Sequence, residues 1–200
     1  MDLLDASPVP EDFPPARLRH MVEQYVLPTP AEYAQLWGKI EERRVGPGTL
    51  LCEAGQVCEY VFFVVAGTAR HYSGGAVREG TSWFSFAGDV MTDVDSFFSR
   101  QPSLFNIAAA TALHAYGISR AHLDELYATS HTWERCGRLI TEAYLVVMAR
   151  SAFLLRFQTA RERYEELLQR QPDIELYVPL GQIASYLGIA QETLSRLRSQ

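Results

Sequence analysis

From Thr49 to Ile118 the apolar residues come in short runs, and glycine cuts the runs at close intervals. The breaks are Gly46-Pro47-Gly48, Ala54-Gly55, Ala66-Gly67, Ser73-Gly74-Gly75 and Ala87-Gly88-Asp89. Between them, residues 49–51, 60–65, 68–72, 76–84 and 105–118 are rich in Val, Phe, Tyr and Trp. Such residues suit a pleated, half-buried surface, and short strands separated by turn signals predict an antiparallel barrel or roll. No helix-length pattern is expected inside this region before Ser119.

On both sides of the roll the period becomes helical. Upstream, Leu18, Met21, Val22 and Tyr25 recur at spacings of three and four, which predicts a helix over 16–26. Thr29-Pro30-Ala31-Glu32 is a capping box with proline at the first helical position, so a second helix is expected to run to about Ile40. Downstream, Ser119 caps a short helix over 120–128, and a long helix follows over 132–157. The long helix carries two apolar stripes. One is Leu139, Ala143, Val146, Phe153 and Phe157; the other is Ile140, Tyr144, Val147 and Leu154. A helix apolar on two faces must bury both, one against the roll and one against a second copy of the chain. A single-chain core helix with no partner is the other way to satisfy the same pattern. Thr159-Ala160-Arg161-Glu162 opens another helix to about Gln171, and residues 180–186 and 191–198 form two short helices joined at Leu187-Gly188-Ile189.

These elements predict an α+β chain. It has N-terminal helices, an antiparallel β-roll (a double-stranded β-helix, jelly-roll-like), a long dimerisation helix and a C-terminal helix-turn-helix. The expected divisions are a flexible tail at 1–15, the roll with its flanking helices at 16–131, the long helix at 132–157 and the helix-turn-helix segment at 159–200. The tail reading rests on four prolines and four acids among its fifteen residues.

The last segment carries the functional signal. Ile183, Ala184 and Leu187 supply a small apolar inner face, Gly188 sits where the chain must turn sharply, and Ile189, Leu194 and Leu197 pack one helix on the other. The remaining face offers Gln191, Glu192, Thr193, Ser195, Arg196 and Arg198 outward. Such a face suits the major groove, where arginine pairs with guanine, glutamate accepts from cytosine, and serine or threonine holds phosphate.

With the roll, the long helix and this ending in order, residues 16 to 200 resemble the Crp/Fnr family of bacterial transcription regulators. Thr81-Ser82-Trp83-Phe84, Arg138-Leu139, the stretch Ala184 to Ile189 and Glu192-Thr193-Leu194-Ser195-Arg196 are similar to its short Bacteroidetes-type members. The resemblance implies a cyclic-nucleotide-binding-like roll, a homodimer formed through the long helix, and a palindromic site on double-stranded DNA. It also implies RNA polymerase as a further partner. By motif position it places Gln191, Glu192 and Arg196 on bases, with Thr193 and Ser195 on phosphates. Gly88, Asp89, Ser103 and Asn106 fall at the effector-pocket positions. There the pattern departs from members that bind cyclic AMP. Gly88-Asp89-Val90 stands for Gly-Glu-Leu, and Ser103-Leu104-Phe105-Asn106 lacks the arginine that grips the cyclic phosphate. A charge-assisted pair of roughly 1.5–3 kcal/mol is thereby missing, so cyclic AMP is not the expected effector.

Composition narrows the remaining choices. The 200 residues are 48% apolar and 21% charged, ordinary for a folded soluble chain. No apolar run approaches the ~18 residues of a membrane span, and the N-terminus is acidic where a signal peptide is basic. Three cysteines suit a reducing compartment, and together these features predict a cytoplasmic protein with no membrane partner. The net charge of −6 gives no global attraction to nucleic acid, so DNA contact must rest on a local patch. From Thr159 to Gln200 acids slightly outnumber arginines, which predicts weak, strongly salt-dependent binding. The same balance leaves a second reading open, a ligand-binding or protein-interaction module whose C-terminal helices do not touch DNA. Cys52, Cys58 and Cys136 lack metal-site spacing and read as small hydrophobes; the five histidines form no ligand motif. Asp89, Asp93 and Asp95 read as a solvated helix start. No nucleophile triad, phosphate loop or dinucleotide fingerprint occurs, so neither enzymatic activity nor a cofactor or metal is expected.

Overall fold

The computed structural model describes residues 13–74 and 79–199. Two helices lead in, α1 (Ala16–Glu23) and α2 (Pro30–Trp37). The α2 capping box forms: the Thr29 hydroxyl accepts the Glu32 N–H at 3.3 Å and the Glu32 carboxylate accepts the Thr29 N–H at 2.7 Å. Both helices end earlier than expected. After Glu23, α1 gives way to a tighter turn in which the Tyr25 N–H reaches back three residues to Val22 O at 2.9 Å. Ile40 leaves α2 because it opens β1 (Ile40–Val45), opposite Ile118. Residues 1–12 of the expected tail lie outside the described residues. Phe13 is buried, with its ring 4.7 Å from Trp37 and 6.1 Å from Tyr116.

Seven more strands follow: β2 (Leu50–Cys52), β3 (Tyr60–Ala66), β4 (Thr68–Ser73), β5 (Gly80–Phe86), β6 (Val90–Met91), β7 (Asn106–Ala109) and β8 (Leu113–Ser119). They form two four-stranded antiparallel sheets, in the orders β1-β8-β3-β6 and β2-β7-β4-β5. Eight strands in two packed sheets give the jelly-roll arrangement. The run at 105–118 is two strands rather than one. At Ala110 the chain crosses between sheets, held by its N–H on Thr68 O at 2.8 Å. Gly67, at φ +87°, makes this crossing possible, since a Cβ there would stand 2.1 Å from Ala112 O. Residues 76–78 of the expected strand before Phe84 lie outside the described residues.

The expectation of no helix before Ser119 is corrected by α3 (Val94–Ser99), whose N-cap is Asp93. That acid is buried rather than solvated, and it accepts the Ser96 N–H at 3.5 Å. Phe62, Val64, Ala69, Met91, Ile107, Leu113 and Ala115 fill the space between the sheets.

Beyond the roll lie α4 (Arg120–Thr129), capped by Ser119 on His122 N–H at 3.2 Å, and α5 (His131–Phe157). Trp133 and Cys136 in the first half of α5 are buried with Leu36, Ile118 and Leu126, and the Trp133 indole donates to Glu32 O at 3.2 Å. The capping box at Thr159 starts α6 (Ala160–Arg170), a 3-10 turn follows at Ile174–Leu176, and α7 (Leu180–Tyr186) and α8 (Gln191–Arg198) end the chain. Their core of Tyr164, Leu167, Ile174, Ile183, Leu187 and Leu194 is continuous with Phe84 and Phe86 of β5. The C-terminal helices therefore sit directly on the roll.

Candidate functional site

Two places in this fold offer chemistry: the outer ridge of α8 and a cavity where β4, β5 and β6 meet α5.

The ridge follows from the helix period. Leu194 is fully buried and Leu197 is half-buried, while Gln191, Glu192, Thr193, Ser195, Arg196 and Arg198 are exposed. Gly188, at φ +70°, takes the left-handed conformation that the turn between α7 and α8 requires. Arg198 is less available than its neighbours, because its Nε lies 3.0 Å from the Glu175 carboxylate, which also accepts the Tyr164 hydroxyl at 2.6 Å. α7 is fixed to the roll by the Thr81 N–H on Ser185 Oγ at 2.9 Å and by Tyr186, whose ring lies 5.4 Å from Phe84 and 6.4 Å from Trp83.

The cavity has a volume of about 270 Å³ and is lined chiefly by His71, Trp83, Ser85, Asp93, Phe105 and Tyr144. His71 Nε2 lies 3.0 Å from Ser85 Oγ, and burial pushes its pKa down to about 4, so the imidazole is neutral near pH 7. Asp93 accepts the Ser103 hydroxyl. Neither nearby arginine points inward. Arg70 is ion-paired with Glu79 and donates to Thr81 Oγ1 at 2.7 Å, and Arg100 pairs with Glu59 at 2.5 Å.

The four effector positions named by resemblance do not gather here. Asp89 accepts the Phe86 N–H at 2.9 Å and the Arg170 guanidinium of α6 at 3.2 Å. With Gly88 it borders a separate cleft between the roll, α5 and α6. Ser103 is buried beneath Asp93, and Asn106 Oδ1 accepts the Ala54 N–H at 2.8 Å. These three side chains hold loops in place. His71 and Asp93 were the informative residues, and one signal for His71 was available. It stands two positions after buried Ala69, at an inward place where a strand normally carries an apolar residue.

On the long helix, Val146, Phe153 and Phe157 are 68%, 60% and 69% exposed, and Leu145 joins them at 69%. Leu139 is half-buried. Ala143 borders the cleft with α1 and α6, on a face it shares with Ile140 and Val147, three and four residues away. The Leu154 side chain lies outside the described residues. Cys52, Cys58 and Cys136 are buried free thiols; burial pushes Cys136 up to about 12, and a hydrogen bond from Cys52 lowers Cys58. Among the described residues no group of three His, Cys, Asp or Glu side chains is placed to hold a metal ion, and no helix is long and apolar enough to cross a membrane.

With this geometry in view, residues 42–130 match the model of the cyclic nucleotide-binding domain. No curated protein matches the chain. Among solved structures it is similar to FixK2 from Bradyrhizobium japonicum, at 24% identity and TM-score 0.66, covering 80% of this chain and 83% of that one. It is also similar to a protein from Eubacterium rectale described as a transcriptional regulator of the Crp/Fnr family (17%, TM-score 0.65, 85% and 82%). A third is the c-di-GMP-responsive global regulator CLP of Xanthomonas campestris (16%, TM-score 0.63, 86% and 90%). In each case the likeness covers four fifths or more of this chain, and it is a likeness of fold. Residues 42–130 thus form a cyclic-nucleotide-binding-like domain, carried in a chain with the fold of the Crp/Fnr regulators.

Proposed function

We propose that the chain is a homodimeric DNA-binding transcription regulator of the Crp/Fnr type, with its effector cavity in the roll. The observation that carries this reading is the α8 ridge: Leu194 anchors the helix while Gln191, Glu192, Thr193, Ser195 and Arg196 face solvent in register. In this reading α7 and α8 form a helix-turn-helix, and α8 enters the major groove. Arg196 reads guanine, and Gln191 and Glu192 meet neighbouring bases. Thr193 and Ser195 hold phosphates, while Arg198, braced by Glu175, sets the angle of the helix more than it reads sequence. Two-fold symmetry comes from the exposed apolar half of α5, where Val146, Phe153 and Phe157 pair with the same residues of a second copy.

The effector signal has a short route. The cavity is walled on one side by Tyr144 and Met148 of α5, and on another by Trp83, whose ring meets Tyr186 of α7. Occupancy therefore bears on the dimer helix and on the DNA-binding helices at once. RNA polymerase is the further partner in this reading.

Competition binding on a selected duplex tests it. Arg196→Ala is expected to cost about 1–3 kcal/mol and to relax base preference at one position of each half-site. Unchanged affinity together with unchanged preference removes Arg196 from base reading. Absence of any sequence preference in the parent protein favours instead a ligand-binding module, as the acidic balance of residues 159–200 would suit.

A further inference from the structure

The cavity in the roll is acidic and aromatic, and no arginine or lysine lines it among the described residues. Asp93 is only 9% exposed. Its carboxylate accepts the Ser96 N–H and the Ser103 hydroxyl, which fills two of its roughly four acceptor sites. Asp95 adds a second carboxylate at the rim. A buried carboxylate without a counter-charge is costly, and the structure supplies none from its own side chains nearby: His71 is neutral, Arg70 is committed to Glu79 and Arg100 to Glu59. Around the acids stand the rings of Trp83, Phe105 and Tyr144; such rings attract cations, and Trp83 already does so with Arg170, which lies 5.6 Å from its ring centroid but does not line the cavity. The phosphate of a cyclic nucleotide would find no cationic side chain among the described residues that line the cavity. A metal ion would lack donors, since no group of three ligating side chains exists among the described residues.

We propose that this cavity binds a small organic ammonium ion, with the Asp93 carboxylate holding the charge and Trp83, Phe105 and Tyr144 forming the walls. The inference rests on reading the cavity as the effector site, and it reverses the charge that the cyclic-nucleotide pattern implies. Carboxylate and rings together select a cation with a compact alkyl surface over a hydrated inorganic one.

The test is calorimetric titration of the full chain with tetramethylammonium, choline and benzyltrimethylammonium. Cyclic AMP and 3,3-dimethylbutan-1-ol, the uncharged carbon analogue of choline, serve as comparators. At least one ammonium compound is expected to bind, with choline about tenfold or more tighter than its neutral analogue and cyclic AMP giving no heat. Asp93→Asn retains a capping side chain for α3 and is expected to weaken ammonium binding by about tenfold or more, as is Trp83→Leu by a smaller factor. If Asp93→Asn does not fold, the comparison of choline with its neutral analogue on the unmodified chain decides. The proposal is overturned if no ammonium compound binds, if the neutral analogue binds equally well, or if cyclic AMP binds in preference. Selection of a DNA site by the ligand-free chain separates the two readings: a selected palindrome with no ammonium binding leaves the regulator intact and removes only the ligand class.

Discussion

The second half of α5 is the more apolar, with ten apolar residues of thirteen from Leu145 to Phe157 against six of twelve from Trp133 to Tyr144, yet it is the first half that is buried within the chain. From Trp133 to Tyr144 the helix finds its partners within the chain: Trp133 and Cys136 are buried against α2, α4 and β8, and Ile140 and Tyr144 face the roll. From Leu145 to Phe157 comparable residues stand in solvent, with Leu145, Val146, Phe153 and Phe157 each at least 60% exposed. Single exposed hydrophobes are common on soluble proteins, but a run of large ones along one helix face marks a surface awaiting another molecule. The contrast teaches that an amphipathic pattern states how much surface must be buried and leaves open which chain buries it.

The largest expected effect sharpens this contrast. Trp133→Ala should lower stability by about 3–5 kcal/mol, read as a lower denaturant midpoint than the parent chain at equal protein concentration. Val146→Asp combined with Phe153→Asp should act on association instead. Sedimentation should show a folded monomer at concentrations where the parent chain is dimeric, and its denaturant midpoint should no longer vary with protein concentration. A parent chain that is monomeric throughout would break the comparison, because the exposed half would then need a different partner.

Between the halves lies the cavity under Tyr144 and Met148, and His71 gives it a pH signature. Its ordinary value of 6.5 falls to about 4 in the fold, so the unfolded chain takes up a proton that the folded chain refuses between those limits. This contribution to stability is intact above pH 6.5 and is lost as the pH falls toward 4, at roughly 1.4 kcal/mol per pH unit. His71→Gln should flatten the stability profile in that window. A smaller effect is expected at the joint between roll and C-terminal helices, where the partly exposed Arg170–Asp89 pair contributes at most about 1 kcal/mol. Arg170→Ala should leave the roll's stability in place and increase proteolysis between α5 and α7.

Much of this fold was legible along the chain. Both capping boxes, the Ser119 cap and the α7–turn–α8 pair were readable because they depend on neighbours within a few residues. β1 was hidden by Glu41-Glu42-Arg43-Arg44, whose charges are tolerated because the strand lies at a sheet edge, with Tyr60 donating to Glu41 at 3.0 Å. α3 was hidden because six residues are too few to show a period. The ridge on α8 was legible for the same reason as its helix. The cavity was not, since His71, Asp93, Phe105 and Tyr144 come from four separate elements or loops and meet only through the sheet pairing. Asp89, at an effector position that the resemblance names, holds a turn and an arginine of α6, contacts that only the folded chain brings together.

The most direct measurement is selection from random duplexes by the full-length chain at low salt. The account predicts enrichment of a two-fold-symmetric sequence whose half-sites are centred about 34 Å apart, one turn of DNA. Enrichment of a lone half-site, or of no sequence at all, would contradict it.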